Sequence, residues 1–203
     1  MQIGILGGTF DPVHFGHLLM AEQALEQAQL DQVWLMPSAR PPHKLDAVIS
    51  SFDRRVEMLE FAIAGLEKQF RVSTVEAEMT GPSYTYATLE KLCTMHPEHS
   101  WHLIIGQDSL NEFPTWREPA KILTMAQLLV VARPGQETIS PEELVTKIGL
   151  PPESQRSIQW IQMPLVEFSS TDLRNRARLG KSLRFQTPHA VAVYIREKKL
   201  YLK

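Results

Sequence analysis

Short, almost wholly apolar runs alternate along this chain with longer segments whose apolar residues recur every three or four positions, and that alternation restricts the fold most. Residues 3–6 form the first run, ending in Gly7 and Gly8, which reads as a buried strand entering a tight loop. Beyond Gly16, the residues Leu18, Ala21, Leu25 and Ala28 mark a helix with one buried face. A second strand at 33–36 is stopped by Pro37, and a helix over 52–66 carries Val56, Leu59 and Ile63 on one side. Val72 and Val75 are assigned to a third strand, followed by a turn at Gly81 and Pro82 and a helix over 85–95. Strands follow at 102–105 and 128–132. The chain from Ser140 on reads as a polar helix, a strand near 158–161 and two closing helices.

Nearly all-apolar strands alternating with helices belong to a parallel sheet covered on both faces. The predicted fold is α/β: a Rossmann-like, doubly wound sheet of mainly parallel strands, with helices on both faces and a small helical C-terminal portion. A length of 203 residues suffices for one core, so a single domain over 1–203 is expected. A net charge of −2 argues against a nucleic-acid-binding surface, so positive charge for an anionic ligand must be gathered locally. Cys93 is the one cysteine, no run approaches the length of a membrane span, and the start MQIGILGGTFDP lacks a secretory pattern. A cytoplasmic location without membrane partners is the expectation. The sequence leaves the oligomeric state open.

Ligands of such sheets bind at the carboxyl ends of the strands, which directs attention to the loops there. The first, GGTFDPVHFGH, lies between the first strand and the first helix. Gly7 and Gly8 are expected to bend the backbone and let it approach a ligand, and Asp11-Pro12 favours a turn. His14 and His17 fall at the helix N-terminus, where free N–H groups suit phosphate and imidazolium rings would add donors. A dinucleotide site of the G-x-G-x-x-G kind does not fit the spacing, and a zinc site lacks further ligands. Two histidines satisfied within a turn are the structural alternative.

The string Gly8-Thr9-Phe10-Asp11-Pro12-x-His14-x-Gly16-His17 resembles the signature of the HxGH nucleotidyltransferase superfamily. Phe168-Ser169-Ser170-Thr171-Asp172-Leu173-Arg174 is similar to that superfamily's second motif, with Phe168 where isoleucine is usual. On residue chemistry alone the hydroxyls are helix caps, but three exceed one cap's need, and Arg174 one turn later suits phosphate. The resemblance implies that His14, His17 and Arg174 are the catalytic contacts to ATP phosphates. It also implies backbone contacts from Gly7, Gly8, Thr9, Phe10 and Gly16, and a β,γ-phosphate cradle at Ser169, Ser170 and Thr171. Mg²⁺ is expected with ATP, held largely by phosphates and water, and no protein metal site is predicted.

Other segments narrow the acceptor. Arg40, His43 and Lys44 could meet an acceptor phosphate; Ser83 or Thr85 could cap a helix whose N–H groups suit a carboxylate. Asp108 could accept from ribose hydroxyls and Trp116 could stack on a flat ring. Taken together, PPHK, GPSYT, GQDSLNEFPTW and the RPG that begins at Arg133 resemble the bacterial nicotinate mononucleotide adenylyltransferases over nearly the whole chain. That likeness implies partners ATP and nicotinate mononucleotide, with Tyr84 and Thr85 at the nicotinate carboxylate and Trp116 on its ring. Gly106 and Asp108 would lie at the adenosine ribose. His43, Lys44 and Arg133 complete the acceptor set. Nicotinamide mononucleotide or phosphopantetheine as acceptor, or a catalytically silent nucleotide-binding regulator, are the alternatives. His96, His99 and His102 are not expected to bind metal, because Pro97 interrupts any helix across them and His102 belongs to a strand. Glu76 and Glu78 are placed on one strand face without a role.

Overall fold

A computed structural model describes residues 1–41, 49–132 and 138–202. The strands are β1 (Gln2–Gly8), β2 (Gln32–Pro37), β3 (Phe70–Val72), β4 (Ser100–Gly106), β5 (Ala126–Val131) and β6 (Ile158–Ile161). The α-helices are α1 (Phe15–Gln27), α2 (Phe52–Ile63), α3 (Thr85–Met95), α4 (Gln107–Glu112), α5 (Pro119–Met125), α6 (Pro141–Lys147), α7 (Ser170–Arg178) and α8 (His189–Glu197). The strands form one sheet in the order β3-β2-β1-β4-β5-β6, and each of these neighbours pairs in parallel. This is the Rossmann-like arrangement; the mainly parallel sheet of the sequence reading is parallel throughout the described residues.

Alternation along each strand divides the core in two. Val33, Leu35, Ile104, Leu129 and Val131 face one side, where α1, α2, α7 and α8 contribute Ala21, Leu59, Leu173 and Val191. Ile3, Ile5, Trp34, Leu103 and Val130 face the other, where α3, α5 and α6 contribute Leu92, Ile122 and Leu144. Strands apolar on both faces must be covered on both, and the helices divide accordingly.

Three expectations need correction. Val75 is not in β3, which ends at Val72; it opens a 3₁₀ helix, Val75–Glu78, so Glu76 and Glu78 do not share a strand face. Val56 is only half-buried on α2, whose buried face is Arg55, Met58, Leu59 and Ile63. Gly7 and Gly8 stay in β1 without positive φ, and the left-handed residue of the first loop is Phe10, at φ 50°. No helix among the described residues is long and apolar enough to cross a membrane.

Candidate active site

In the strand order above, β1 and β4 are neighbours whose chain continuations leave in opposite directions across the sheet, which opens a crevice at their carboxyl ends. A cleft of about 980 Å³ lies there, lined by Gly7, Gly8, Thr9, His14, Gly16 and His17 from the first loop. Gly106 and Asp108, Tyr84 and Thr85, Trp116, and Ser169, Ser170 and Thr171 line it as well. One cleft therefore gathers residues from five separate stretches of sequence. His43, Lys44 and Arg133 lie outside the described residues.

The histidine pair has a specific local cause. His14 is the N-cap of α1, and its Nδ1 accepts from the His17 backbone N–H at 3.4 Å. His17 Nδ1 accepts in return from the His14 backbone N–H at 3.3 Å, so two imidazoles perform the reciprocal capping usually done by Ser/Thr and Glu/Gln. The rings stack with centroids 3.7 Å apart. With each Nδ1 turned to a backbone N–H, Nε2 is the nitrogen that each ring leaves for a ligand. Gly16 fits the space left: a Cβ there would stand 3.1 Å from His14 Nδ1. At Gly7 and Gly106 a Cβ would meet nothing within 4 Å, so no protein atom demands glycine at these two strand ends.

The second motif is bonded directly to the first. Ser169 caps α7, its Oγ accepting from the Asp172 N–H at 3.0 Å, as the capping reading requires. Ser170 Oγ donates to the Pro12 carbonyl at 2.8 Å, and Arg174 donates to the Asp11 carbonyl at 2.7 Å and to Thr171 Oγ1 at 3.0 Å. Thr187 Oγ1 donates to Val13 O from a buried position, a contact with no signal in the sequence.

Beneath this loop lies a buried polar layer that the sequence reading also missed. Arg55 and Asp11 are each 1% exposed. Arg55 donates to Thr9 O at 2.9 Å and to Ser50 O at 3.1 Å; burial lowers its pKa, and the nearby Asp11 carboxylate opposes that shift. Asp11 accepts from the Ser50 N–H at 3.1 Å and from the Tyr201 hydroxyl at 2.6 Å. Desolvation, then the Asp11 charge, push the Tyr201 phenol far above its usual range; desolvation and Glu57 raise Tyr194 to about 12. In the unfolded chain both phenols ionise near about 10, so above that pH the unfolded state loses protons that the native state keeps. Stability is therefore expected to fall as pH rises past about 10, and Tyr201→Phe should flatten that fall in denaturant titrations at a series of pH values.

On the opposite wall, α3 begins at Tyr84 with no side-chain cap, so neither Ser83 nor Thr85 caps it as expected. Ser83 Oγ instead accepts from the Arg40 N–H at 3.1 Å. Tyr84 N–H donates to Pro82 O at 2.9 Å and Ala87 N–H to Tyr84 O at 3.0 Å, so the N–H groups of this helix start without an intrahelical partner are those of Thr85, at the cleft, and Tyr86. Arg117, which the sequence reading passed over, also lines the cleft, its guanidinium 5.4 Å from the Tyr84 ring centroid. Trp116 is half-buried, its ring 5.2 Å from that of Phe113. Glu76, left without a role, accepts from the Ala39 N–H at 3.2 Å and from Thr88 Oγ1 at 3.1 Å, tying the segment after β2 to α3.

Residues 5–176 match the cytidylyltransferase-like family model. A Rhodopirellula baltica protein named a probable nicotinate-nucleotide adenylyltransferase is 44% identical, the match covering 98% of this chain and 92% of that one. A Bacillus licheniformis protein of the same name is 40% identical, with 98% of each chain covered. The chain belongs to the nicotinate-nucleotide adenylyltransferase family. A Plasmodium falciparum nicotinic acid mononucleotide adenylyltransferase, solved with NaAD, superposes with a TM-score of 0.78 over 98% of this chain and 97% of that one. At 18% identity that likeness shows the shared fold. The enzyme is thus a nucleotidyltransferase, and its two histidine- and serine-bearing motifs lie on one cleft of the family's fold.

Proposed function

We propose that this enzyme transfers the adenylyl group of ATP to nicotinate mononucleotide, releasing pyrophosphate and forming nicotinate adenine dinucleotide, a step in making NAD. The observation that carries this reading is the division of the cleft. Both phosphate motifs, joined through Ser170–Pro12 and Arg174–Asp11, occupy one wall, and the uncapped α3 N-terminus with Trp116 occupies the other. Family membership supports the same substrates.

ATP lies across the carboxyl ends of β1 and β4. Gly7 and Gly106, where a side chain would enter open space, let its sugar and phosphates approach the backbone. Asp108 accepts from the adenosine ribose hydroxyls. His14 and His17 donate through Nε2 to the triphosphate, with Thr9, Phe10 and the α1 N-terminus supplying backbone N–H groups. Arg174 and the Ser169, Ser170 and Thr171 turn hold the β- and γ-phosphates. The acceptor's carboxylate rests at Tyr84 and Thr85, on the Thr85 N–H at the start of α3, with Arg117 adding charge, and its ring stacks on Trp116; His43, Lys44 and Arg133 serve its phosphate. Mg²⁺ enters with ATP. Among the described residues the carboxylates lining the cleft are Glu76, Asp108 and Glu112, and Glu76 already accepts two hydrogen bonds, which fits a metal held mainly by phosphate oxygens and water.

The acceptor's phosphate oxygen attacks the α-phosphorus in line, and the bond to the bridging oxygen of pyrophosphate breaks with its electrons leaving on pyrophosphate. No protein nucleophile is needed; alignment and donors aimed at the developing charge supply the acceleration. Cytoplasmic ATP and the lone Cys93 fit a cytoplasmic setting. An ATP analogue made chiral at the α-phosphorus by sulfur should give a product of inverted configuration. Retention would require a covalent adenylyl-enzyme and defeat the direct transfer. Trp116→Ala should raise KM for nicotinate mononucleotide about tenfold, the value of one lost stack, while KM for ATP stays within about twofold.

A further inference from the structure

At the opposite end of the sheet from the cleft, the turn between α3 and β4 brings together His96, Glu98 and His99. We infer that this turn is a binding site for one borderline divalent cation of the zinc class, with His96, Glu98 and His99 as ligands. One ligand atom from each residue lies within 4.8 Å of the others. The two Nδ1 atoms face the same carboxylate oxygen: His99 Nδ1 is 3.2 Å and His96 Nδ1 3.8 Å from Glu98 Oε1. Ligands on a tetrahedral Zn²⁺, each bonded at about 2.1 Å, stand about 3.4 Å apart, so both histidine–carboxylate separations lie within about 0.4 Å of that value.

Two features favour a shared ion over a simple ion pair. His99 Nδ1 is buried and 3.2 Å from a carboxylate, yet the pair lacks hydrogen-bond alignment, the relation of two ligands that converge on a common point. The two imidazoles also lie nearly parallel, 6° apart with centroids at 5.2 Å, so their nitrogen edges present side by side. The turn is held from both ends. His96 N–H donates to Leu92 O to close α3, His99 N–H donates to His96 O, and Ser100 N–H donates to Met1 O to start β4. Trp34 and Trp101 pack edge-on around the imidazoles, with Trp34 5.6 Å from His96 and Trp101 5.6 Å from His99. These contacts fix the ring positions before any ion arrives, which lowers the ordering cost of binding.

His102, the third histidine of the spacing, is not a ligand: it stands in β4 with Nε2 2.7 Å from Gln2 Oε1. The sequence gives no reason to expect a metal at 96, 99 and 102, because Pro97 interrupts any helix across them and His102 belongs to a strand. The structure instead uses a turn, in which Pro97 reverses the chain and Glu98 supplies the third ligand. Three protein ligands leave a fourth position for water, facing a cavity of about 780 Å³ that His96, His99 and Trp101 help to line.

Co²⁺ is the probe for the test, because a tetrahedral site gives it intense visible absorption. Without ATP or Mg²⁺, the protein is expected to bind one equivalent of Co²⁺ with saturable absorption and to quench tryptophan fluorescence, and Zn²⁺ should displace it. His99→Gln and His96→Gln should each weaken binding by about tenfold or more. Glu98→Gln, at an exposed side chain, tests the same point without disturbing the packed rings. His17→Ala should leave the spectrum intact. Absence of saturable binding would mean an ion pair alone. Full binding in the Glu98 and His99 variants, with loss in His17→Ala, would place the ion in the ATP cleft; either result overturns the inference.

Discussion

Replacement of His17 by alanine is expected to lower kcat for adenylyl transfer by about 10²- to 10³-fold, the usual effect of removing one donor aimed at developing charge. His17 does two things that the substitution separates poorly. It caps α1 through Nδ1, and it supports the His14 ring by stacking at 3.7 Å. Losing the reciprocal cap should cost about 1 kcal/mol of stability. His17→Gln distinguishes the roles, because Gln at this helix position can accept from the cap N–H. It should recover most of the stability and little of the rate. Recovery of both would make His17 a structural residue and remove it from the proposed phosphate contacts. Steady-state kinetics and urea unfolding on the three proteins decide this.

Asp11→Ala should be the most destabilising single change near the cleft, by about 3–5 kcal/mol, the range for removing one member of a buried, charge-balanced group. The carboxylate is 1% exposed, accepts from Ser50 and Tyr201, and is the main charge offsetting the burial of Arg55. Without it a buried guanidinium loses its nearby opposite charge, and the Ser50 N–H and Tyr201 hydroxyl lose their acceptor. Activity should fall as well, since the adjoining carbonyls of Asp11 and Pro12 are the points to which Arg174 and Ser170 attach. Asp11→Asn, which keeps an acceptor oxygen but not the charge, should lie between. The check is the urea midpoint at unchanged slope. A midpoint within experimental spread of the parent would show that other groups balance Arg55.

These two residues mark the boundary of what the sequence could reveal. The place of His17 at the cleft was legible because the loop that carries it follows an apolar strand and precedes a helix, at the carboxyl end of a parallel strand. Arg55 was not: helical periodicity places a charge on the solvent face, and Thr9 O, 46 residues away in the chain, helps to draw it inward. Tyr201 was invisible for the same reason, since its partner Asp11 is 190 residues distant. The central strands were plain because buried parallel strands are apolar on both faces. β3 was misplaced because an edge strand of three residues, paired only with β2, needs little pattern, and Val75 fills the core from a 3₁₀ turn. Of the second motif the capping reading holds at Ser169, while the bonds of Ser170 and Arg174 to the first loop join residues about 160 apart and had no signal in the local sequence. The uncapped start of α3 could not be foreseen, because Ser83 and Thr85 both read as good caps.

The most direct test of the central claim is kcat/KM for pyrophosphate release from ATP and Mg²⁺ by the purified enzyme, with nicotinate mononucleotide, nicotinamide mononucleotide and phosphopantetheine offered separately. A site that places helix N–H groups and Arg117 at the acceptor's carboxylate predicts at least about a hundredfold preference for the acid over its amide, the scale set by leaving such donors unpaired. Equal or greater activity with nicotinamide mononucleotide, or with phosphopantetheine, would contradict it.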